Sequence, residues 1–426
     1  MPTSLRGIAE KAARDKTHRF GNLFGLLNPS FLLESWRDLN QRAAPGVDQV
    51  DAQAYGQDLE GHVKDLVERL KTGSYHAQLV RRHYIPKGQG VTRPLGIPSV
   101  EDKLLQTAVK RILEAIYEPD FRACSFGYRP QIGAQDAVKD LTEALQFGRY
   151  SYIVEADIQG YFEHIDHGQL VAMLSERIAD KPFLRLIRKW LKAGVLETDG
   201  AVLYPISGTP QGGVVSPVLA NVYLHHVLDV WFEEVVKEHG DGAAYLCRYA
   251  DDFVCAFQYK RDAMRFYRAL GKRLGKYGLK LAMDKTRVMS FSRFRQYEKT
   301  RFDFLGFEFR WGTNRLGTDQ LKRRTSRKRL QRSIANVTAW IKQNRHRRLP
   351  GLFKALNAKL RGYYNYYGVV GNYESLDAFH FQVKRLLYKW LNRRSQRKSY
   401  AWPRFGQVLD HFRLEPPRIT ESAYAA

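Results

Sequence analysis

Cysteine is scarce in this sequence. The chain has three, Cys124, Cys247 and Cys255, with no C-x-x-C pair among them. That argues against both a disulfide framework and a zinc site, and it leaves buried thiols in a reducing compartment as the expectation. Long apolar runs are missing too: nothing approaches the roughly 18 consecutive residues a membrane-spanning helix needs. The first twenty residues, MPTSLRGIAEKAARDKTHRF, lack an apolar segment of signal-peptide length and carry Glu10 and Asp15 among their basic residues. An intracellular, cytoplasmic protein is expected from this. No internal repeat or low-complexity linker interrupts the chain. His164 and His167 flank Asp166 in FEHIDHGQL, but no cysteine or Glu-x-x-His arrangement completes a zinc ligand set.

Acidic residues are missing most unevenly. Between residues 313 and 400 there are 22 Lys and Arg against only Asp319, Glu374 and Asp377, a surplus of 19 within a chain whose formal net charge is +25. A surplus of that size points to a polyanionic partner, nucleic acid or an anionic membrane surface. The segment has helical periodicity at Leu330, Ile334, Val337 and Ile341, then at Phe353, Leu356, Leu360, Tyr363 and Tyr367, then at Val383, Leu386, Leu387, Trp390 and Leu391. Three amphipathic helices with basic outer faces follow. Solvated basic faces usually interleave Glu and Asp, so a nucleic-acid-binding helical domain is favoured here over a merely solvated face.

What is present before residue 313 is mixed. With 426 residues, 44% of them hydrophobic, the chain is long enough for two or three domains with real cores. Residues 1 to about 80 read as mainly helical, with RAAPGVDQVD as a loop. SYIVEAD (151–157) reads as a strand, AAYLCRYADDFVCAF as a hairpin, and TRFDFLGFEFRW (300–311) as two short strands. Helices are expected over Lys103 to Ile116 and over Pro217 to Leu228, the latter with Ser216 as N-cap and proline at its first position. Neighbouring side chains on a strand face opposite ways, so Asp251 and Asp252 serve one site only at the tip of a tight hairpin; a solvated Asp-Asp turn is the plain alternative. Asp157, after Ile153 and Val154, stands where a buried strand exits. If it lies beside the hairpin, three carboxylates converge, and such a cluster is unstable unless cations fill it. All-oxygen ligands suit magnesium, and two such ions serve an in-line phosphoryl displacement.

The YADD box at 249–252, with Asp157 in ADIQGYF, resembles the palm of reverse transcriptases. The order and wording of further blocks are similar to the group II intron-encoded subgroup: YIPKGQGVTRPLGIPSVEDKLLQ (84–106), CSFGYRP (124–130), GTPQGGVVSPVLANVYLHHVLD (208–229), GLKLAMDKT (278–286), FLGFEF (304–309) and LRGYYNYYG (360–368). The resemblance covers nearly the whole chain. It implies an α+β right-hand polymerase: a helical N-terminal extension over 1–80, fingers and an antiparallel palm sheet over 81–312, a basic helical thumb or maturase domain over 313–400, and a tail over 401–426.

By the same resemblance, Asp157, Asp251 and Asp252 are the catalytic residues and hold two Mg2+ ions, with Ile158 counted among the metal-binding positions and Mn2+ as a substitute metal. Lys87 and Arg93 would clamp the triphosphate of an incoming dNTP, consistent with the phosphate preference of both side chains. Gln211, between Pro210 and Gly212, would line the nucleotide and template pocket, and Lys285 would act as general acid near the pyrophosphate. Phe162 would exclude a 2′-hydroxyl, although a core phenylalanine is the alternative. Leu305 and Gly306 would form the primer grip, or a plain hairpin turn. Arg323, Arg324, Arg327, Lys328 and Arg329 would bind RNA. The implied partners are group II intron RNA, an RNA template with a DNA primer, and target DNA; splicing assistance and retrohoming are the implied roles. A host-adopted reverse transcriptase would keep the same motifs, and a purely RNA-binding splicing factor would not need three carboxylates. Glu163 stands where many relatives carry Asp, and GVDQV replaces a commoner Gly-Val-Asp-Gly form. The paired cysteines of a His-Asn-His endonuclease are not in the sequence, so no such activity is expected of it. Oligomeric state is left open.

Overall fold

Ser99 accepts a hydrogen bond from the amide of Asp102 at 3.1 Å and so caps the helix Val100–Tyr117, whose first turn carries Glu101 and Asp102. Acids there complement the positive end of the helix dipole. Leu104, Leu105, Ala108, Val109, Ile112, Leu113 and Ile116 are all buried, while Lys110, Arg111 and Glu114 stay partly exposed, so most of this helix is enclosed and it forms the spine of its unit. The computed structural model describes residues 4–88, 91–209, 212–294, 300–314, 316–394 and 399–421. They form two compact units, the first built from 1–132, 156–255 and 261–287, the second from 133–155, 256–260 and 288–426. The chain therefore passes between units several times, where the motif order in the sequence suggests successive blocks.

In the first unit, the N-terminal stretch carries the helices Leu5–Arg14, Pro29–Trp36 and Leu59–Thr72. A four-stranded sheet follows the order Val91–Ile97, Val80–Gly88, Val195–Leu196, Val202–Leu203. Its first pair is antiparallel, with Arg93 opposite Ile85. A separate two-stranded ribbon pairs Ile158 with Leu281 and Gln159 with Lys280. Asp166, between the two histidines of FEHIDH, is the N-cap of helix His167–Arg177, accepting from the amide of Gln169 at 2.7 Å. The expected helix at 217–228 begins at Ser216 itself, with Val215 at the cap position. It runs α-helical to Leu224 and then widens into π-helical turns at His225–Asp229 and Phe232–Val236. All three cysteines are buried thiols, none of them in a disulfide.

In the second unit, Arg301–Phe304, Phe307–Thr313 and Asp319–Thr325 make a three-stranded antiparallel sheet. Residues 319–325 are therefore strand, ahead of the three helically periodic stretches. Helices Arg327–Asn344, Leu349–Tyr367 and Tyr373–Leu391 occupy the three periodic stretches, and their apolar positions Val337, Ile341, Leu356, Leu360, Val383 and Leu387 share one core. The tail carries one more helix, Trp402–His411, which buries Phe405 in that core. No helix among the described residues is long and apolar enough to cross a membrane.

Candidate active site

Asp157 leaves the strand Tyr152–Ala156, in which Ile153, Val154 and Ala156 are buried. Its carbonyl accepts the amide of Ala282 at 2.8 Å, and the next residue, Ile158, is buried in the ribbon opposite Leu281. That pairing brings the DKT segment alongside. Lys285 Nζ consequently donates to Asp157 Oδ2 at 2.5 Å. The bond to Asp157 is the main reason the Lys285 ammonium is held above its ordinary pKa, and the charges of Asp157, Asp284 and Asp252 add to it. The cation is thus stabilised by carboxylates of its own motif and of two others.

Asp251 and Asp252 lie where the hairpin reverses. The first strand is Ala244–Tyr249 and the second starts at Asp252 itself, so Ala250 and Asp251 form the turn. Ala250 sits at φ +57°, left-handed and strained for a residue with a Cβ. Gly127 lies against it so closely that a Cβ there would stand 2.3 Å from the Ala250 nitrogen. Gly127→Ala is therefore expected to displace the turn and cost about 1–3 kcal/mol by overpacking, read as a lower midpoint in chemical denaturation. An unchanged midpoint would mean the turn shifts freely.

Phe162 belongs to the short 3₁₀ turn Tyr161–Glu163 and is half-buried. Tyr161 anchors that turn, its hydroxyl donating to Ala220 O at 2.5 Å. The Phe162 carbonyl accepts from Thr209 N at 2.7 Å. Just before Thr209, Gly208 at φ +90° leaves no room for a Cβ, which would come within 2.8 Å of the Phe162 and Glu163 carbonyl oxygens. Tyr128 meets the Phe162 ring edge to face at 6.3 Å. Burial raises the pKa of the Tyr128 phenol, with Asp251 adding to the shift and Arg93 opposing it. Arg93, exposed on its strand, is near enough to Tyr128 for its charge to act there. Lys87 belongs to the strand Val80–Gly88, while its side chain and the whole of Gln211 lie outside the described residues.

The donor chemistry fits magnesium: Asp157, Asp251 and Asp252 offer hard oxygen ligands with no thiolate among them. Among the described residues no three His, Cys, Asp or Glu side chains stand together as a ready metal cage. The Lys285 ammonium paired with Asp157, and stabilised further by the charges of Asp284 and Asp252, shows that these carboxylates draw positive charge.

In the second unit, Leu305 at φ +49° and Gly306 at φ +83° join two antiparallel strands, with Phe304 opposite Phe307. Positive φ at both central residues is the geometry of a type I′ hairpin, and leucine is a costly choice there. Tyr366 Oη donates to the Leu305 carbonyl at 3.0 Å, and the Gly306 carbonyl accepts from Ser326 N at 2.9 Å. Of the five cations expected to bind RNA, Arg323 is only 8% exposed and donates to both carboxylate oxygens of Glu421. Its charge is neutralised inside the unit: Arg323 points inward on the strand Asp319–Thr325, whose pattern of burial alternates. Arg324 pairs with Glu308. Arg327, Lys328 and Arg329 are exposed in the first turn of helix Arg327–Asn344.

A family model described as reverse transcriptase (RNA-dependent DNA polymerase) matches residues 85–309. The chain belongs to the reverse transcriptase family. A second family model, group II intron, maturase-specific domain, matches residues 327–406. Protein YkfC of Escherichia coli (strain K12) is 30% identical over 79% of this chain and 95% of its own length. The group II intron-encoded protein LtrA of Lactococcus lactis subsp. cremoris is 46% identical over 169 residues, which are 39% of this chain and only 28% of LtrA. Among solved structures, telomerase from Candida albicans in complex with a fragment of telomeric RNA aligns with a TM-score of 0.44 at 13% identity, covering 85% of this chain and 68% of its own. That likeness is too weak to add to the assignment.

In this reverse transcriptase, three residues around the YADD turn escape a reading of the sequence. Tyr128 takes a left-handed backbone, φ +59°, within reach of Asp251 and Phe162. Arg248 and Asp229 form a buried ion pair beneath Ala250. An arginine inside the apolar run AAYLCRYADDFVCAF is the signal for the second feature. A buried charge requires a partner, and the sequence does not say which of the distant acids supplies it.

Proposed function

We propose that this reverse transcriptase copies RNA into DNA at the centre formed by Asp157, Asp251 and Asp252, and that it binds intron RNA to assist splicing and retrohoming. The contact of Lys285 with Asp157, reinforced by the charge of Asp252, supports the polymerase reading most directly. A primer 3′-hydroxyl forms the new bond to the α-phosphate of a dNTP while the bond to pyrophosphate breaks. Two Mg2+ ions, when bound by Asp157, Asp251, Asp252 and Ile158, would supply Lewis-acid stabilisation of the phosphate charge. Lys285, kept protonated by its acidic surroundings, donates its proton toward the departing pyrophosphate. Arg93 and Lys87 hold phosphate oxygens, Gln211 lines the pocket, and Phe162 closes the space a 2′-hydroxyl would need. The turn at Leu305 and Gly306 grips the primer end. Primer extension on a defined RNA template, with dNTPs and Mg2+, tests this reading; no extension by the full chain would reject it.

RNA recognition is assigned to Arg327, Lys328 and Arg329. Cations at a helix N-terminus oppose the helix dipole, so their placement there makes little sense as a stabilising device and good sense for a polyanion. Changing all three to Gln is expected to weaken binding of structured RNA and to flatten its log-log salt dependence by roughly 0.7–0.9 for each phosphate that is no longer neutralised. A filter-binding salt titration measures the slope. A slope equal to wild type would reduce these residues to a solvated face. Arg323 is left out of the variant because removing it would strand Glu421 in the interior.

A further inference from the structure

Arg248 is a large side chain with no solvent exposure, and each of its five N–H donors has an acceptor. Nε and Nη2 donate to the two carboxylate oxygens of Asp229 at 2.7 and 2.5 Å, and Nη2 also to Ser125 Oγ at 2.6 Å. Nη1 donates to Asn221 Oδ1 at 3.1 Å and to the Ala250 carbonyl at 3.0 Å. The main chain of Arg248 is held as tightly: its amide donates to Cys124 O at 2.7 Å and its carbonyl accepts from Phe126 N at 2.8 Å. Asn221 Nδ2 completes the network by donating to Gly127 O at 2.6 Å. Three segments therefore converge on one guanidinium: the 125–127 loop, the helix from Ser216, and the hairpin turn.

A buried ion pair usually adds little net stability over apolar residues of the same volume, because desolvation offsets the Coulombic gain. What the guanidinium adds is direction. Its bond to Ala250 O reaches under the strained left-handed residue immediately before Asp251 and Asp252. Its partner Asp229 closes the π-helical turn His225–Asp229, and such turns recur at functional sites. We propose that Arg248, oriented by Asp229, is a positioning residue that fixes the Ala250–Asp251 turn and thereby the spacing of the metal-binding carboxylates. The proposal rests on the polymerase reading of that site.

The test uses the full chain in three forms: wild type, Asp229→Asn, and the apolar double variant Arg248→Met/Asp229→Leu. Each is measured for thermal midpoint, for Mn2+ binding followed by electron paramagnetic resonance, and for the Mg2+ concentration giving half-maximal primer extension. The double variant is expected to keep a midpoint near wild type, to bind Mn2+ about 10- to 100-fold more weakly, and to need correspondingly more Mg2+, the range typical of residues supporting metal ligands. Asp229→Asn preserves shape but leaves the Arg248 charge without its counter-charge, so a lower midpoint is expected; read below that midpoint, it is expected to shift both metal curves in the same direction severalfold. Metal binding and Mg2+ dependence equal to wild type in either folded variant, whatever happens to the midpoint, overturn the proposal. If wild-type protein extends no primer while binding Mn2+ normally, the polymerase reading fails and the proposal falls with it. Extension by wild type with unmoved metal curves in the variants removes the positioning role alone.

Discussion

Asp251→Asn is expected to lower the rate of primer extension by about three orders of magnitude or more, equivalent to roughly 4 kcal/mol of transition-state stabilisation. An amide offers one neutral oxygen where the carboxylate offers two that share a negative charge, so the centre loses a ligand and the charge that draws cations to it. The fold should not suffer. Asp251 is a turn residue next to Asp252, and removing one of two adjacent like charges relieves repulsion, so the thermal midpoint is expected to hold or rise slightly. RNA affinity and its salt slope are also expected to persist, because Arg327, Lys328 and Arg329 belong to the other compact unit. Single-nucleotide extension beside an RNA-binding titration on the same preparation decides the matter. A variant that extends primers like wild type removes Asp251 from the metal centre. One that loses RNA affinity as the Arg327/Lys328/Arg329 variant does would show that the two functions are not separable in this way.

Phe162→Ala is expected to reduce the preference for dNTPs over rNTPs by about 10- to 100-fold, or roughly 1.4–2.8 kcal/mol of discrimination. The ring is well placed for this because its surroundings restrain it. Tyr161 and Tyr128 meet it edge to face, and its carbonyl is tied to Thr209 N. A half-buried ring fixed from two sides makes a wall rather than a gate that swings aside. Truncation also removes packing, so a fall in stability of about 1–3 kcal/mol is expected, less than for a fully buried phenylalanine. Competition between a dNTP and the matching rNTP, read by gel at one template position, gives the ratio. If the ratio is unchanged while stability falls, Phe162 serves the core and some other group excludes the 2′-hydroxyl.

The three basic helices are legible in the sequence because a period of 3.6 records burial directly: Leu356 and Leu360 face the core, and so do Val383 and Leu387. The hairpin at YADD is legible for the matching reason, a short strand on each side of a turn. Asp319–Thr325 is not, since Lys322, Arg323 and Arg324 conceal a strand among charges and its pairing partner lies in a different run. Nor can composition separate Arg323 from its neighbours. All five of these cations look alike in one dimension, and only the alternation of that strand turns Arg323 inward to Glu421.

The sequence alone determined the inventory of this protein: three aspartates at the ends of apolar runs, a lysine in DKT, an aromatic five residues beyond Asp157, and a basic helical C-terminal region. It could do so because those features depend on local pattern and on side-chain chemistry. The tertiary structure alone decided which charges are neutralised within the fold and which remain. The ribbon at Ile158 and Leu281 sets Lys285 on Asp157, Asp229 reaches Arg248 across 19 positions, and Glu421 silences Arg323 across 98. Each of these pairings joins groups that the chain separates widely, and the free energy of a buried charge depends on the partner that folding brings to it.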